Sequence, residues 1–105
     1  MKIFVTGATG LIGANLVQEL VRRNHHVRCL IRTDSPPFLE GLSVEKIKGD
    51  IMDVASVEGA MQGCDALFHL AAFISYRSED RGKMYKVNVE GTKNILLAAK
   101  KNNIK

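Results

Sequence analysis

Three observations predict an α/β fold built on a doubly wound parallel sheet with strand order 3-2-1-4. Short apolar runs alternate with stretches of helical periodicity along almost the whole chain. Several of these runs are near-continuous in apolar residues, as in strands covered on both faces. The first run enters a glycine-rich turn that opens directly into a helical stretch. Right-handed crossovers between parallel strands then set the strand order, and the ligand crevice of such a sheet lies between the C-terminal ends of its first and fourth strands.

The elements follow in order. Residues 2–6 form the first strand. Residues 11–24 form a helix in which Ile12, Leu16 and Leu20, with Val17 and Val21, recur at the three-to-four spacing of a buried stripe. Residues 27–31 form the second strand. Asp34-Ser35-Pro36-Pro37 is a loop, because paired prolines continue neither a helix nor a ladder, and this short connection has room for a turn of helix. Residues 44–48 alternate as a third strand. Residues 53–62 form a short helix with Asp53 as its N-cap. Residues 66–70 form the fourth strand and 73–81 a loop. A long helix follows over residues 82–102, with Met84, Val87, Gly91, Ile95 and Ala98 on one face and Lys86, Lys93 and Lys100 on another.

With 105 residues the chain holds one domain, residues 1–105. A chain of this size buries roughly two-thirds of its unfolded surface, enough for a core with little margin. The composition, 46% apolar and 25% charged, is that of a globular protein rather than a disordered one. The longest uncharged stretch, residues 3–18, is broken by Gly7, Gly10 and Gly13 and is no membrane span. The N-terminus lacks the charged-then-apolar pattern of a signal peptide, so a cytoplasmic protein is expected. Cys29 and Cys64 lack CxxC spacing and read as small buried hydrophobes, a disulfide or metal pair being the alternative. His25, His26 and His69 do not cluster with them, so no metal site is expected. The net charge of +4 gathers largely at Lys83, Lys86, Lys93, Lys100, Lys101 and Lys105, without the interleaved aromatics of a nucleic-acid surface. A solvated helix face accounts for it, and neither nucleic acid nor membrane is expected as a partner.

The strongest motif is Thr6-Gly7-Ala8-Thr9-Gly10-Leu11-Ile12-Gly13. Gly7 permits a tight turn off the first strand, Gly10 lets backbone approach a pyrophosphate, and Gly13 lets the helix pack close to the sheet. Phosphates would then meet free N–H groups at the positive end of the helix dipole. An isolated glycine triplet can be no more than a turn, but here an apolar strand precedes it and an amphipathic helix follows. No Gly-Lys-Ser/Thr follows, which excludes a Walker phosphate loop.

This G-x-x-G-x-x-G spacing resembles the extended short-chain dehydrogenase/reductase family, also called the NAD-dependent epimerase/dehydratase family. Further segments resemble it in the same order: Gly49-Asp50-Ile51-Met52-Asp53 after the third strand, Gly63-Cys64-Asp65-Ala66-Leu67-Phe68-His69-Leu70-Ala71-Ala72 through the fourth strand, and Tyr85-Lys86-Val87-Asn88-Val89-Glu90-Gly91-Thr92 in the last helix. The nearest subgroups are the dihydroflavonol-reductase-like and sugar-epimerase-like members. The resemblance implies a Rossmann-type fold and a dinucleotide cofactor. It implies pyrophosphate binding around Gly7, Thr9, Gly10, Leu11, Ile12 and Gly13, chiefly by backbone N–H groups. Asp50 would take the adenine amino group, with Ile51 beside the ring; a turn-capping carboxylate is the other reading of Asp50. Leu70, Ala71 and Ala72 would line the path to the nicotinamide ribose, or serve packing alone. Asn88 would reach toward the cofactor, or satisfy nearby loop backbone.

Cofactor choice turns on the end of the second strand. NAD-preferring members carry an acid there to hold the ribose hydroxyls. The matching position is Ile31, followed by Arg32, whose guanidinium can pair with a 2′-phosphate. NADP is therefore expected over NAD, the alternatives being a solvated Arg32 or a ribose contact from Asp34. The family's chemistry uses a Tyr-x-x-x-Lys pair, in which the lysine tunes the tyrosine as acid or base. Four residues after Tyr76 stands Asp80, and four after Tyr85 stands Val89, so neither tyrosine fits. The resemblance thus covers about the N-terminal third of a typical member, a truncated sheet with no catalytic residue. The chain is expected to bind NAD(P)(H) without turning over a substrate; a stand-alone nucleotide-sensing or protein-interaction module is the alternative. An exposed apolar fourth-strand edge would promote self-association.

Overall fold

The computed structural model describes residues 1–8, 11–31, 43–70, 78–102 and 104. Four strands, β1 (Lys2–Thr6), β2 (His26–Ile31), β3 (Glu45–Lys48) and β4 (Ala66–His69), form one sheet in the order β3-β2-β1-β4. Every pairing is parallel, so the predicted doubly wound order is the observed one. The helices are α1 (Leu11–Arg22), α2 (Val54–Ala60), α3 (Arg81–Tyr85) and α4 (Gly91–Lys101). A 3₁₀ turn (Ser78–Asp80) precedes α3, and a widened π turn (Lys86–Glu90) joins α3 to α4. No helix among the described residues is long and apolar enough to cross a membrane.

The continuous apolar run of β1 is explained by its two faces. Ile3 and Val5 lie with Val27, Cys29 and Ile31 of β2 against Val17 and Leu20 of α1. Phe4 and Leu30 point the other way, into Val57, Ala60 and Met61 around α2 and Ile95, Ala98 and Ala99 of α4. Each fully buried side chain of this kind contributes about 1.5–3 kcal/mol. Cys29 and Cys64 are free and buried, as expected of small hydrophobes, and belong to clusters on opposite faces of the sheet. The edge strands differ. In β3 Glu45, Lys46 and Lys48 surround Ile47, and such charges discourage further pairing. In β4 Leu67 packs toward α2 and α4, but Phe68, which pairs with Val5 on the α1 side, is 40% exposed.

Several boundaries depart from those predicted. Helix α1 stops at Arg22 rather than at residue 24, because Asn24 takes φ 66° and closes the helix, its N–H bonding Val21 O at 2.9 Å while His25 N–H bonds Leu20 O at 3.1 Å. Ile12 leaves the buried stripe altogether: it is 75% exposed at the first turn of α1, whereas Val17 and Leu20 are buried. Helix α2 begins after Asp53, whose carboxylate accepts from Ser56 N–H at 3.4 Å, and ends at Ala60 rather than at residue 62. Residues 78–81, predicted as loop, are helical. On the final helix Gly91, Ile95 and Ala98 are buried, Met84 and Val87 are half-buried, and Lys86, Lys93 and Lys100 are exposed.

One buried cation ties the layers together. The Arg28 guanidinium donates to Glu45 Oε2 on β3 at 3.0 Å and to the carbonyls of Ala60, the last residue of α2, and of Gln62 just beyond it, both at 2.7 Å. Helix C-terminal carbonyls lack intrahelical donors, and Arg28 supplies two of them. On the other side, Asn102 Nδ2 donates to Glu58 O at 3.2 Å, joining the end of α4 to α2.

Candidate functional site

The site is built where the C-terminal ends of β1 and β4 lie side by side. These strands pair directly, yet the chain leaves β1 toward β2 on one side and returns to β4 on the other. Crossovers that depart in opposite directions leave a crevice above the strand ends.

The β1 wall is the glycine turn. Gly7 holds φ 74°, a conformation that side chains with a Cβ rarely take. Gly13, one turn into α1, faces this turn so closely that an added Cβ would stand 1.9 Å from Gly7 O and 2.7 Å from Gly7 C. The helix is therefore seated on the turn backbone, and the N–H groups of its first turn, which have no intrahelical acceptors, open toward the crevice end of the sheet. Leu11 begins α1, and Ile12 presents its exposed side chain beside that end. Thr9 and Gly10 lie outside the described residues.

The β4 wall is joined to the glycine turn by side chains. Thr6, buried at the end of β1, meets His69 Nδ1 through its hydroxyl at 2.6 Å. Leu70 N–H donates to the Thr6 hydroxyl and to Thr6 O, both at 3.1 Å. The other imidazole nitrogen, Nε2, lies 3.0 Å from Thr92 Oγ1 on α4, and that hydroxyl donates to Asn88 O at 2.6 Å. Burial pushes the His69 pKa below its ordinary value and favours the neutral ring. Leu70 and Asn88 are thus drawn into one network with the start of the motif. Ala71 and Ala72 lie outside the described residues.

The third wall follows β3. Asp50 is exposed, and its Oδ1 accepts from Met52 N–H at 2.9 Å, the turn-capping arrangement. Ile51 packs against α4 so tightly that a Cβ at Gly91 would meet Ile51 Cδ1 at 2.6 Å. Asn94 Nδ2 donates to Ile51 O at 2.8 Å. Ile31 is buried in the core on the α1 side, while Arg32 lies outside the described residues.

The start of α4 therefore meets both remaining walls, through Thr92 on one side and through Gly91 and Asn94 on the other. Sequence reasoning did not single out Thr6, His69, Thr92 or Asn94. A signal was present for His69, the lone ionisable residue in the apolar run Ala66-Leu67-Phe68-His69-Leu70. Thr92 and Asn94 gave none, because polar residues on a half-buried helix are ordinary. Among the described residues no three His, Cys, Asp or Glu side chains are grouped as metal ligands.

A parallel sheet in this order, with a glycine turn at its switch point, defines a Rossmann-type α/β domain. More particularly, the chain belongs to the 3-beta hydroxysteroid dehydrogenase/isomerase family, whose model matches residues 4–105. This family falls within the extended short-chain dehydrogenase/reductases that the motifs resemble. Sterol demethylase protein B of Methylococcus capsulatus is 44% identical over 102 residues, 96% of this chain and 31% of its own length. A candidate dihydroflavonol 4-reductase of Synechocystis sp. is 46% identical over 99 residues, 93% of this chain and 29% of its own. A crystal structure of a short-chain dehydrogenase/reductase superfamily protein from Agrobacterium tumefaciens, with bound NAD, superposes with a TM-score of 0.85 at 33% identity, over 100% of this chain and 30% of that one. The chain spans about three-tenths of the length of these relatives.

Proposed function

We propose that this chain, residues 1–105, is the NAD(P)-binding domain of an oxidoreductase or epimerase, and that it holds a nicotinamide dinucleotide across the C-terminal ends of β1 and β4. The observation that carries this reading is the seat of α1 on the glycine turn at the switch point, with Gly7 at φ 74° and no room for a Cβ at Gly13. A seat that close aims first-turn N–H groups at one spot, the arrangement that suits a pyrophosphate. In this reading Gly7, Thr9, Gly10 and Gly13 shape the turn, and the N–H groups of Leu11 and Ile12 take the phosphates. Asp50 and Ile51 flank the adenine, with the second carboxylate oxygen of Asp50 as acceptor. Leu70, Ala71, Ala72 and Asn88 border the nicotinamide ribose. The bound NAD of the Agrobacterium tumefaciens relative supports a cofactor of this class.

NADP is the preferred form in this proposal. Ile31 is buried in the core, so the strand end offers no acid to a ribose, and Arg32 follows it in sequence. A bound nicotinamide supplies hydride transfer. The residues of this chain bind and orient it, and a catalytic Tyr-x-x-x-Lys is not among them. The β4 edge, with Phe68 exposed, is proposed to pair with another copy of the chain. Titration with NADPH and NADH at fixed salt tests the main reading. The expected result is saturable binding of both, tighter for NADPH, with Arg32→Ala losing mainly NADPH. A folded chain that binds neither would refute it.

A further inference from the structure

His69 is not needed by the glycine-turn account, yet its ring bonds Thr6 at the end of β1 and Thr92 on α4, bridging the two across the crevice. The direction of its hydrogen bonds follows from the partners. Asn88 O can only accept, so the Thr92 hydroxyl spends its single proton there, at 2.6 Å. Thr92 Oγ1 must then accept from His69, which puts the ring proton on Nε2. In the neutral ring Nδ1 is left as an acceptor, so the Thr6 hydroxyl donates to it, and Thr6 Oγ1 in turn receives Leu70 N–H. The result is a directed chain: Leu70 N–H to Thr6, Thr6 to His69, His69 to Thr92, Thr92 to the carbonyl of Asn88. It ends in the π turn, a distortion of helix that often marks functional sites.

We propose that His69 is a positioning residue for the nucleotide site: as the neutral Nε2–H tautomer it fixes the span between the glycine turn and the segment carrying Asn88, and its protonation loosens that span. The proposal rests on the reading of the crevice as a dinucleotide site. A protonated ring would aim Nδ1–H at the Thr6 hydroxyl proton across 2.6 Å, and buried Thr6 would have to reorient. Among the described residues, the groups hydrogen-bonded to the ring are the hydroxyls of Thr6 from β1 and Thr92 from α4. Glu90 and Lys93, the nearest charged residues along the helix, are exposed, and burial alone accounts for the depressed pKa. Because the folded value lies below the ordinary 6.5, the network's contribution is complete above pH 6.5 and is lost as pH falls through the folded value.

The test combines a spectroscopic readout with a binding profile on this chain. Imidazole ¹⁵N shifts at pH 7.5 should show Nε2–H; a predominant Nδ1–H tautomer overturns the proposal. Calorimetric titration with NADP⁺ and NAD⁺ from pH 8 to pH 5 should show affinity falling about tenfold on the acid side, the scale of one lost buried hydrogen bond. In His69→Gln the acid-side fall should disappear, with affinity at pH 7.5 already lowered. Thr92→Val keeps the imidazole but removes its acceptor, and should also weaken binding at pH 7.5. Parent-like affinity in folded Thr92→Val, or an unchanged acid fall in His69→Gln, overturns the positioning role alone. A folded parent that binds neither nucleotide at any pH overturns the underlying site as well.

Discussion

Replacing Gly13 by alanine tests the seat on which the nucleotide reading stands. The new Cβ would lie 1.9 Å from Gly7 O, 2.7 Å from Gly7 C and 3.0 Å from Ala8 Cα, all backbone atoms, so no side chain can swing aside. Ordinary contact begins at 3.4 Å, and α1 must therefore lift from the turn by 3.4 − 1.9 = 1.5 Å. That displacement pulls Val17 and Leu20 away from Ile3, Val5 and Val27. Overpacking of this kind costs about 1–3 kcal/mol, and a clash with immobile backbone belongs at the upper end. Alanine returns about 1 kcal/mol through its better helix propensity, leaving a net loss of ~2 kcal/mol. Gly59→Ala in α2 is the internal control: nothing stands within 4 Å of its Cβ, so propensity should dominate and stabilise by about 0.5–1 kcal/mol. Urea unfolding followed by circular dichroism should show midpoints moving in opposite directions at similar slopes. Should Gly13→Ala be as stable as the parent while Gly59→Ala behaves as stated, the close seat is not real and the phosphate argument loses its footing.

Other outcomes follow from the same geometry. Arg28→Ala should cost about 3 kcal/mol in urea unfolding, because the Ala60 and Gln62 carbonyls lose their donor and Glu45 loses a partner; a change below about 0.5 kcal/mol would mean that water replaces the guanidinium. Burial pushes the Cys29 thiol up to about 11 and raises Cys64 as well, so both should resist a disulfide-exchange reagent at pH 8 and react only on unfolding; prompt native reaction would contradict the burial. The same shift means that unfolding is favoured as pH rises from the thiol's ordinary value toward 11, since the unfolded chain releases the proton first. Sedimentation velocity should show concentration-dependent association that Phe68→Lys weakens, whereas a monodisperse monomer at high concentration would exclude pairing through β4.

The sheet was legible because its physics is local. Continuous apolar runs, a glycine turn and right-handed crossovers leave few arrangements for four strands. The ends of elements were less so: Asn24 closing α1 at positive φ requires knowing the backbone, since asparagine also continues helices. Ile12 fits the apolar periodicity of α1 yet is 75% exposed, because periodicity reports a face without reporting how far the neighbouring layer covers it. The glycine turn was readable, whereas the polar network was not. Thr6, His69 and Thr92 are far apart in sequence, and it takes the β1–β4 register, with Thr6 opposite His69, and the placing of α4 beside β4 to bring them together.

That register also dictates an order of events during synthesis. β2 and β3 are joined through Arg28 and Glu45 at a separation of 17 residues, but Lys2 waits for Asp65, and Thr6 for His69, across 63. The added closure entropy is small, about 1 kcal/mol for nearly two doublings of loop length, so the delay is one of time more than of energy. A nascent chain can assemble three strands and their hydrophobic contacts while the crevice still lacks its far side. Nucleotide, which stabilises only states that bind it, would then have no purchase on the growing chain until Thr92 had emerged, and would act as a clamp on the finished domain rather than as a template for it.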